Sequence, residues 1–244
     1  NSQIKIFKNK FYVVDSKNIL RCFSVTDGKE LWNYKTDVPF IKSQKRTSLI
    51  VKSNKVIFNN TIGDITAVDS ETGDLLWQTP TQSKKIYDES MFFKNSDLIT
   101  AKNSILFSNN NNNFYSLNSM DGVLNWKQKL NSHIKPVYFN GLIFTVTNEG
   151  YLAVINNENG NLIRSTYLFN SFKPKKRKNI KPIGFIVGKK NIYLTLSNGR
   201  LMVIDISKGR IESIIKIDKE KISTPVVQGQ NLYITKNNSI IKLN

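Results

Sequence analysis

The sequence predicts an all-β fold of repeated four-stranded antiparallel sheets, and three observations lead there. No stretch of helical length keeps an apolar stripe at i, i+3, i+4 and i+7, while β-branched and aromatic residues recur in short runs broken by Asn, Ser and Gly. The segment AVDSETGDLLW, Ala67 to Trp77, returns in weaker form along the chain. Aligned on its glycine it marks Gly28, Gly73, Gly122, Gly160 and Gly209, at intervals of 45, 49, 38 and 49 residues. A period of roughly 40 to 50 residues belongs to solenoids and propellers. Four short strands per unit select the propeller, because one small sheet cannot bury both its faces and stacked blades can.

The units follow in order. Residues 3–36 offer IKIF, KFYVVD, ILRCFSV and ELWNYK; residues 48–80 offer SLIV, KVIFNN, DITAVD and DLLWQT. Residues 97–130 contain LITA, SILFSN, FYSLN and VLNWKQ, and residues 134–169 contain KPVYF, LIFTVT, YLAVIN and LIRSTY. The fifth unit, 182–218, has PIGFIV, NIYLTL, LMVIDI and IESIIKI, whereas the sixth, 223–244, stops after TPVVQ, NLYITK and SIIKLN. One propeller domain over 1–244 is therefore expected, about six blades with the last short of a strand. A strand from before Asn1 is expected to complete that blade, so that the natural protein extends upstream.

Within the motif each residue type has a task. Four residues before the glycines stand Ser24, Asp69, Asn118, Asn156 and Asp205, and four after them Trp32, Trp77, Trp126, Arg164 and Ser213. Asp69 ends a strand, and its carboxylate can accept the amides of the turn from Ser70 to Gly73. Gly73 supplies a positive φ there. Period-two alternation then places Leu75 and Trp77 on one face and Leu76 on the other, with Trp77 docked on the neighbouring blade and its indole N–H requiring an acceptor. Trp32, Trp77, Trp126, Gly28, Gly73, Gly122, Asp69 and Asp205 are thus expected to dock blades rather than bind ligands.

Composition excludes several chemistries. One cysteine, Cys22, allows no internal disulfide, and a single histidine, His133, allows neither a His/Cys metal cluster nor a Ser-His-Asp triad. No catalytic residue, metal or cofactor is expected. Cys22 stands where the next copy has Ala67 and reads as core filler. The formal charge of +18 goes with Lys spread through every segment, and so with a generally solvated basic surface. KPKKRK, Lys173 to Lys178, reads as an exposed charged loop between the fourth and fifth blades. It lacks the interleaved aromatics of a single-strand groove, and no nucleic acid partner is expected. Asn109 to Asn113 read as a hairpin turn, where Asn tolerates left-handed backbone. The apolar runs are far shorter than the roughly 20 residues of a membrane span.

AVDSETGDLLW, together with CFSVTDGKELW and SLNSMDGVLNW, resembles the tryptophan-docking repeat of quinoprotein-type propellers. That repeat serves both quinone-dependent dehydrogenases and the non-catalytic BamB family of outer-membrane β-barrel assembly lipoproteins. NGLIFTVTNEGYLAVINNENGNL (Asn140 to Leu162), the three-stranded ending, and the D-x-P loop at Asp37 and Pro39 resemble the BamB family. The resemblance implies an eight-bladed ring, with two blades and a lipidated N-terminus upstream of Asn1. It also implies a place at the periplasmic face of the outer membrane of a Gram-negative bacterium, and a monomer within a larger complex. The implied partner is a BamA-like protein, bound through its POTRA domains by two loops mapped to Pro39–Arg46 and Ser83–Asp97. Pro39, Phe40 and Ile41 would form an apolar knob with Lys42 and Arg46 around it, and Asp88 and Asp97 would act from the second loop. Ser43 and Gln44 stand near where the family carries leucine and arginine. A quinone (PQQ)-dependent dehydrogenase, which would need a funnel carboxylate, calcium and a vicinal disulfide, is one alternative, and a periplasmic binding or sensor propeller another.

Overall fold

A computed structural model of the chain describes residues 2–37, 46–81, 95–109 and 112–243. The chain divides into two compact units, Asn1–His133 and Ile134–Asn244. The first holds three antiparallel sheets of four strands in simple sequence order. They are β1 (Lys5–Phe7), β2 (Lys10–Val14), β3 (Ile19–Ser24) and β4 (Glu30–Lys35); β5 (Leu49–Lys52), β6 (Lys55–Asn59), β7 (Ile65–Asp69) and β8 (Leu75–Thr79); and β9 (Ile99–Ala101), β10 (Ser104–Ser108), β11 (Asn113–Asn118) and β12 (Leu124–Lys129). In the second unit are β13 (Val137–Phe139), β14 (Leu142–Val146), β15 (Tyr151–Asn156) and β16 (Leu162–Tyr167), then β17 (Pro182–Val187), β18 (Asn191–Leu196), β19 (Arg200–Asp205) and β20 (Ile211–Lys216). A three-stranded sheet of β21 (Val226–Gln228), β22 (Asn231–Lys236) and β23 (Ser239–Leu243) follows. The expected propeller blades are present, the last with three strands.

Strand alternation builds the cores between sheets. Along β6, Val56 and Phe58 point into a cluster with Tyr12, Val14, Leu20 and Cys22 of the first sheet, while Ile57 joins Ile105, Phe107 and Leu117 of the third. In the second unit Ile192, Leu194 and Leu196 pack with Phe144, Leu152 and Val154, and Tyr193 on the opposite face of β18 joins Leu232 and Ile234 of the last sheet. A middle sheet is therefore apolar on both faces, which is what face-to-face stacking demands.

The repeated turn closes alike in five sheets. Asp69 Oδ1 accepts the amides of Glu71 and Thr72 at 2.7 and 3.1 Å. Ser24, Asn118 and Asn156 each accept the amide two residues on, at 2.7 to 3.2 Å, and Asp205 accepts that of Lys208, three residues on, at 2.6 Å. Each turn is completed by the glycine amide donating to the carbonyl four residues back, at 2.8 to 3.0 Å, with φ between +67° and +82° at all five glycines.

Within each unit, docking runs from one blade to the next at three of these turns. A Cβ built on Gly73 would stand 2.7 Å from Trp32 Cε3, and one on Gly122 would stand 2.8 Å from Trp77 Cδ2. At Gly209 it is Arg164 that fills the tryptophan position, 2.9 Å from such a Cβ. Arg164 also donates through Nη2 to Ile206 O at 2.8 Å and through Nη1 to Ser207 O. Tyr12 adds a second clasp, its hydroxyl donating to Ser70 O at 3.1 Å.

Three expectations are corrected. Leu75 and Trp77 do not share a face by plain alternation, because Ala67 faces Trp77 and Val68 faces Leu75, leaving Leu76 as the extra residue of a bulge. The same bulge precedes Trp32, Trp126, Arg164 and Ser213. In β8 it turns Trp77 toward the next sheet and leaves both Leu75 and Leu76 exposed. Secondly, the indole nitrogens of Trp32 and Trp77 are buried with no acceptor among the described residues, so burial rather than hydrogen bonding holds these rings. Thirdly, Lys173–Lys178 is not simply a loop: it contains one helical turn, α1 (Pro174–Arg177), begun by a proline whose fixed φ suits the first helical position.

Candidate partner-docking site

Pro39, Phe40, Ile41, Lys42 and Asp88 lie outside the described residues. What the structure describes is the frame from which their connections leave and to which they return.

The first connection leaves β4 beside Asn18, a side chain with no exposed surface in the turn between β2 and β3. Asn18 Nδ2 donates to Asp37 O at 3.0 Å and to Thr61 Oγ1 at 2.8 Å, and its Oδ1 accepts the Thr61 amide at 3.2 Å. Thr36 Oγ1 donates to Asn18 O at 3.0 Å. The chain returns through exposed Arg46, and Thr47 forms a parallel bridge with Ser2. Ser48 then donates its amide to Asn59 Oδ1 at 2.7 Å.

The second connection leaves β8 at Thr81. Its hydroxyl donates to Gly63 O at 2.6 Å, and its carbonyl accepts Asn109 Nδ2 at 2.9 Å and Tyr115 Oη at 3.2 Å. It returns through buried Ser96, whose hydroxyl accepts the Ser108 amide at 2.9 Å, and Leu98 donates its amide to Ser48 Oγ at 3.0 Å. The returns of the two connections are thus bonded to each other. Asp97, between them, is half-buried, and its Oδ2 accepts Gln3 Nε2 at 3.2 Å. Part of this carboxylate is committed inside the unit.

Sequence reasoning missed the pinning residues. Asn18 carried no signal beyond its place in a turn, and Asn109 reads as turn filler although it is buried and holds Thr81. Asn112, with φ +55°, does take the left-handed backbone expected of that turn. Nearby, Asn60 Oδ1 accepts three amides of its own turn at 2.9 to 3.0 Å. Burial pushes the Asp64 carboxyl above the usual carboxylate range, an effect that the Gln78 hydrogen bond at 3.2 Å only partly offsets.

The chemistry available is that of recognition. Among the described residues no three of His, Cys, Asp and Glu are grouped so as to hold a metal ion, and no helix is long and apolar enough to cross a membrane. Cys22 is fully buried, and burial pushes its thiol up to about 11, which leaves it protonated and inert at neutral pH.

The family model for outer membrane protein assembly factor BamB matches residues 3–166, about two thirds of the chain. The chain belongs to the BamB family. A BamB of Legionella pneumophila (strain Paris) is 24% identical over 166 residues, spanning 64% of this chain and 38% of the relative. The chain thus covers well under half the length of that curated relative. Among solved structures, BamB from Moraxella catarrhalis superposes with a TM-score of 0.80 at 14% identity, over 98% of this chain and 70% of that one. The quinohemoprotein alcohol dehydrogenase of Comamonas testosteroni superposes with a TM-score of 0.68 at 11% identity, over 88% and 42%. At such identities these likenesses show the propeller fold alone.

Proposed function

We infer that the chain acts as a non-catalytic scaffold of the outer-membrane β-barrel assembly machinery, at the periplasmic face of the outer membrane, and docks the POTRA domains of a BamA-like protein. Its BamB family membership supports this. The observation that carries the inference is the frame of the first unit. Two long connections from adjacent blades spring from bases fixed by the buried side chains of Asn18, Ser48, Thr81, Ser96 and Asn109. Loops fixed at their bases present side chains at a smaller ordering cost on binding. Phe40 and Ile41 then supply the apolar anchor, Arg46 a charge beside it, and Asp97 a minor contact because it already holds Gln3.

Pull-down of a POTRA array by the wild-type chain and by a Phe40→Asp/Ile41→Asp variant tests the assignment. Removing an apolar hot spot is expected to weaken capture by about 30-fold or more. Equal recovery would take these residues out of the interface.

A further inference from the structure

We propose that the segment around α1 is a docking surface for an anionic phospholipid bilayer. Between Leu168 and Pro182 the chain carries Lys173, Lys175, Lys176, Arg177, Lys178 and Lys181 and no acidic residue. All five lysines are exposed, and among the described residues none of them joins an ion pair.

The underside of this platform is built. Arg177 is turned inward, donating through Nε to Phe172 O at 2.8 Å and through Nη2 to Asn170 O at 3.1 Å. The Arg200 guanidinium lies 5.9 Å from the centre of the Phe172 ring, which meets Phe169 edge-on at 6.1 Å. Leu168, Phe169 and Ile180 are buried in the core of the second unit and fix both ends of the segment. The lysines are thereby gathered on one anchored turn instead of being spread along a loose connection.

The type of cation decides the partner. A lysine ammonium is a hydrated point charge with little geometric demand, suited to the laterally mobile phosphates of a bilayer. Recognition of a folded acidic protein favours guanidinium forks around an apolar anchor. Here Arg177 is spent on backbone carbonyls, Arg200 faces a ring, and Leu168, Phe169 and Ile180 point inward. The surface belongs to the second unit and does not depend on the connections assigned to POTRA docking.

Co-sedimentation of the 244-residue chain with phosphatidylcholine vesicles, with and without phosphatidylglycerol, tests the proposal. Three chains are compared: wild type, a Lys173→Gln/Lys175→Gln/Lys176→Gln/Lys178→Gln variant, and a charge-matched Lys189→Gln/Lys190→Gln/Lys208→Gln/Arg210→Gln variant. The matched variant removes the same charge from turns at the other end of β17 and β19. Binding is expected only with phosphatidylglycerol, to fall at least about tenfold in the first variant, and to stay near wild type in the second. Equal losses in both variants would make the attraction one of net charge alone and overturn the proposal. So would binding indifferent to phosphatidylglycerol, or capture by polyglutamate or single-stranded DNA through these lysines without capture by the vesicles. Because the substituted side chains are exposed, matching thermal melts confirm that all three chains are folded.

Discussion

The five motif glycines share a turn but not an environment, and substitution should separate the two. Gly28 and Gly122 have nearly the same positive φ, +70° and +73°, so alanine at either site meets the same backbone strain of about 1–2 kcal/mol. A Cβ on Gly28 would meet nothing within 4 Å, whereas one on Gly122 would collide with Trp77 and with Thr79, whose hydroxyl donates to Gly122 O at 2.7 Å. Overpacking adds about 1–3 kcal/mol. Urea denaturation should therefore show Gly28→Ala losing about 1–2 kcal/mol and Gly122→Ala clearly more. Equal losses would mean that Trp77 does not dock on this turn. The turn chemistry of these residues was legible, since Asp, Asn, Ser and Gly announce it by type and spacing. That one glycine carries a ring and another carries nothing was not, because that depends on which sheet lies next door.

At the element scale Trp32, Trp77 and Arg164, each following a bulge, join their blade to the next one in the same unit, and two solutions occur. Trp77 buries an indole against Gly122, so Trp77→Ala should cost about 3–5 kcal/mol through the cavity it leaves. Arg164 works through its fork, reaching two carbonyls of the turn between β19 and β20 while lying over Gly209. Arg164→Ala is expected to cost about 2–3 kcal/mol, in the range of hydrogen bonds to charged groups. Arg164→Lys should recover little of it, because one ammonium cannot replace a planar fork. Full rescue by lysine, measured by chemical denaturation, would reduce the contact to simple charge. Along the sequence Arg164 looks like decay of the tryptophan motif; in the fold it is a substitute of different chemistry. The bulge escaped the period-two rule for a similar reason, since one extra residue in β8 resets the faces without any mark in residue type.

For the whole molecule, the number, order and sheet membership of the strands follow from apolar runs and turn residues, while the pinning of the long connections does not. Asn18, Thr81 and Asn109 act across 18 to 43 residues of separation on partners that only the fold brings near. The short sixth sheet has a consequence for behaviour in solution. Among the described residues β23 pairs with β22 alone and is the last strand of its sheet, and Ile240 on it is 73% exposed. A cavity of about 320 Å³ lies at this sheet, lined by Tyr193, Leu201, Ile215, Val227, Leu232 and Leu243. A bare edge beside exposed apolar side chains is a template for pairing with another chain. Opposing it is the formal charge of +18, whose repulsion between copies weakens as salt shortens the Debye length. The isolated 244-residue chain should therefore associate with itself more strongly as salt rises. Ile240→Lys should weaken that association about tenfold or more, because burying one isoleucine contributes about 1.5–3 kcal/mol and a lysine would place charge on the edge. Sedimentation velocity at low and high salt reads both effects. Association that is unchanged by the substitution, or that falls with salt, would move the contact away from β23 to a charged face.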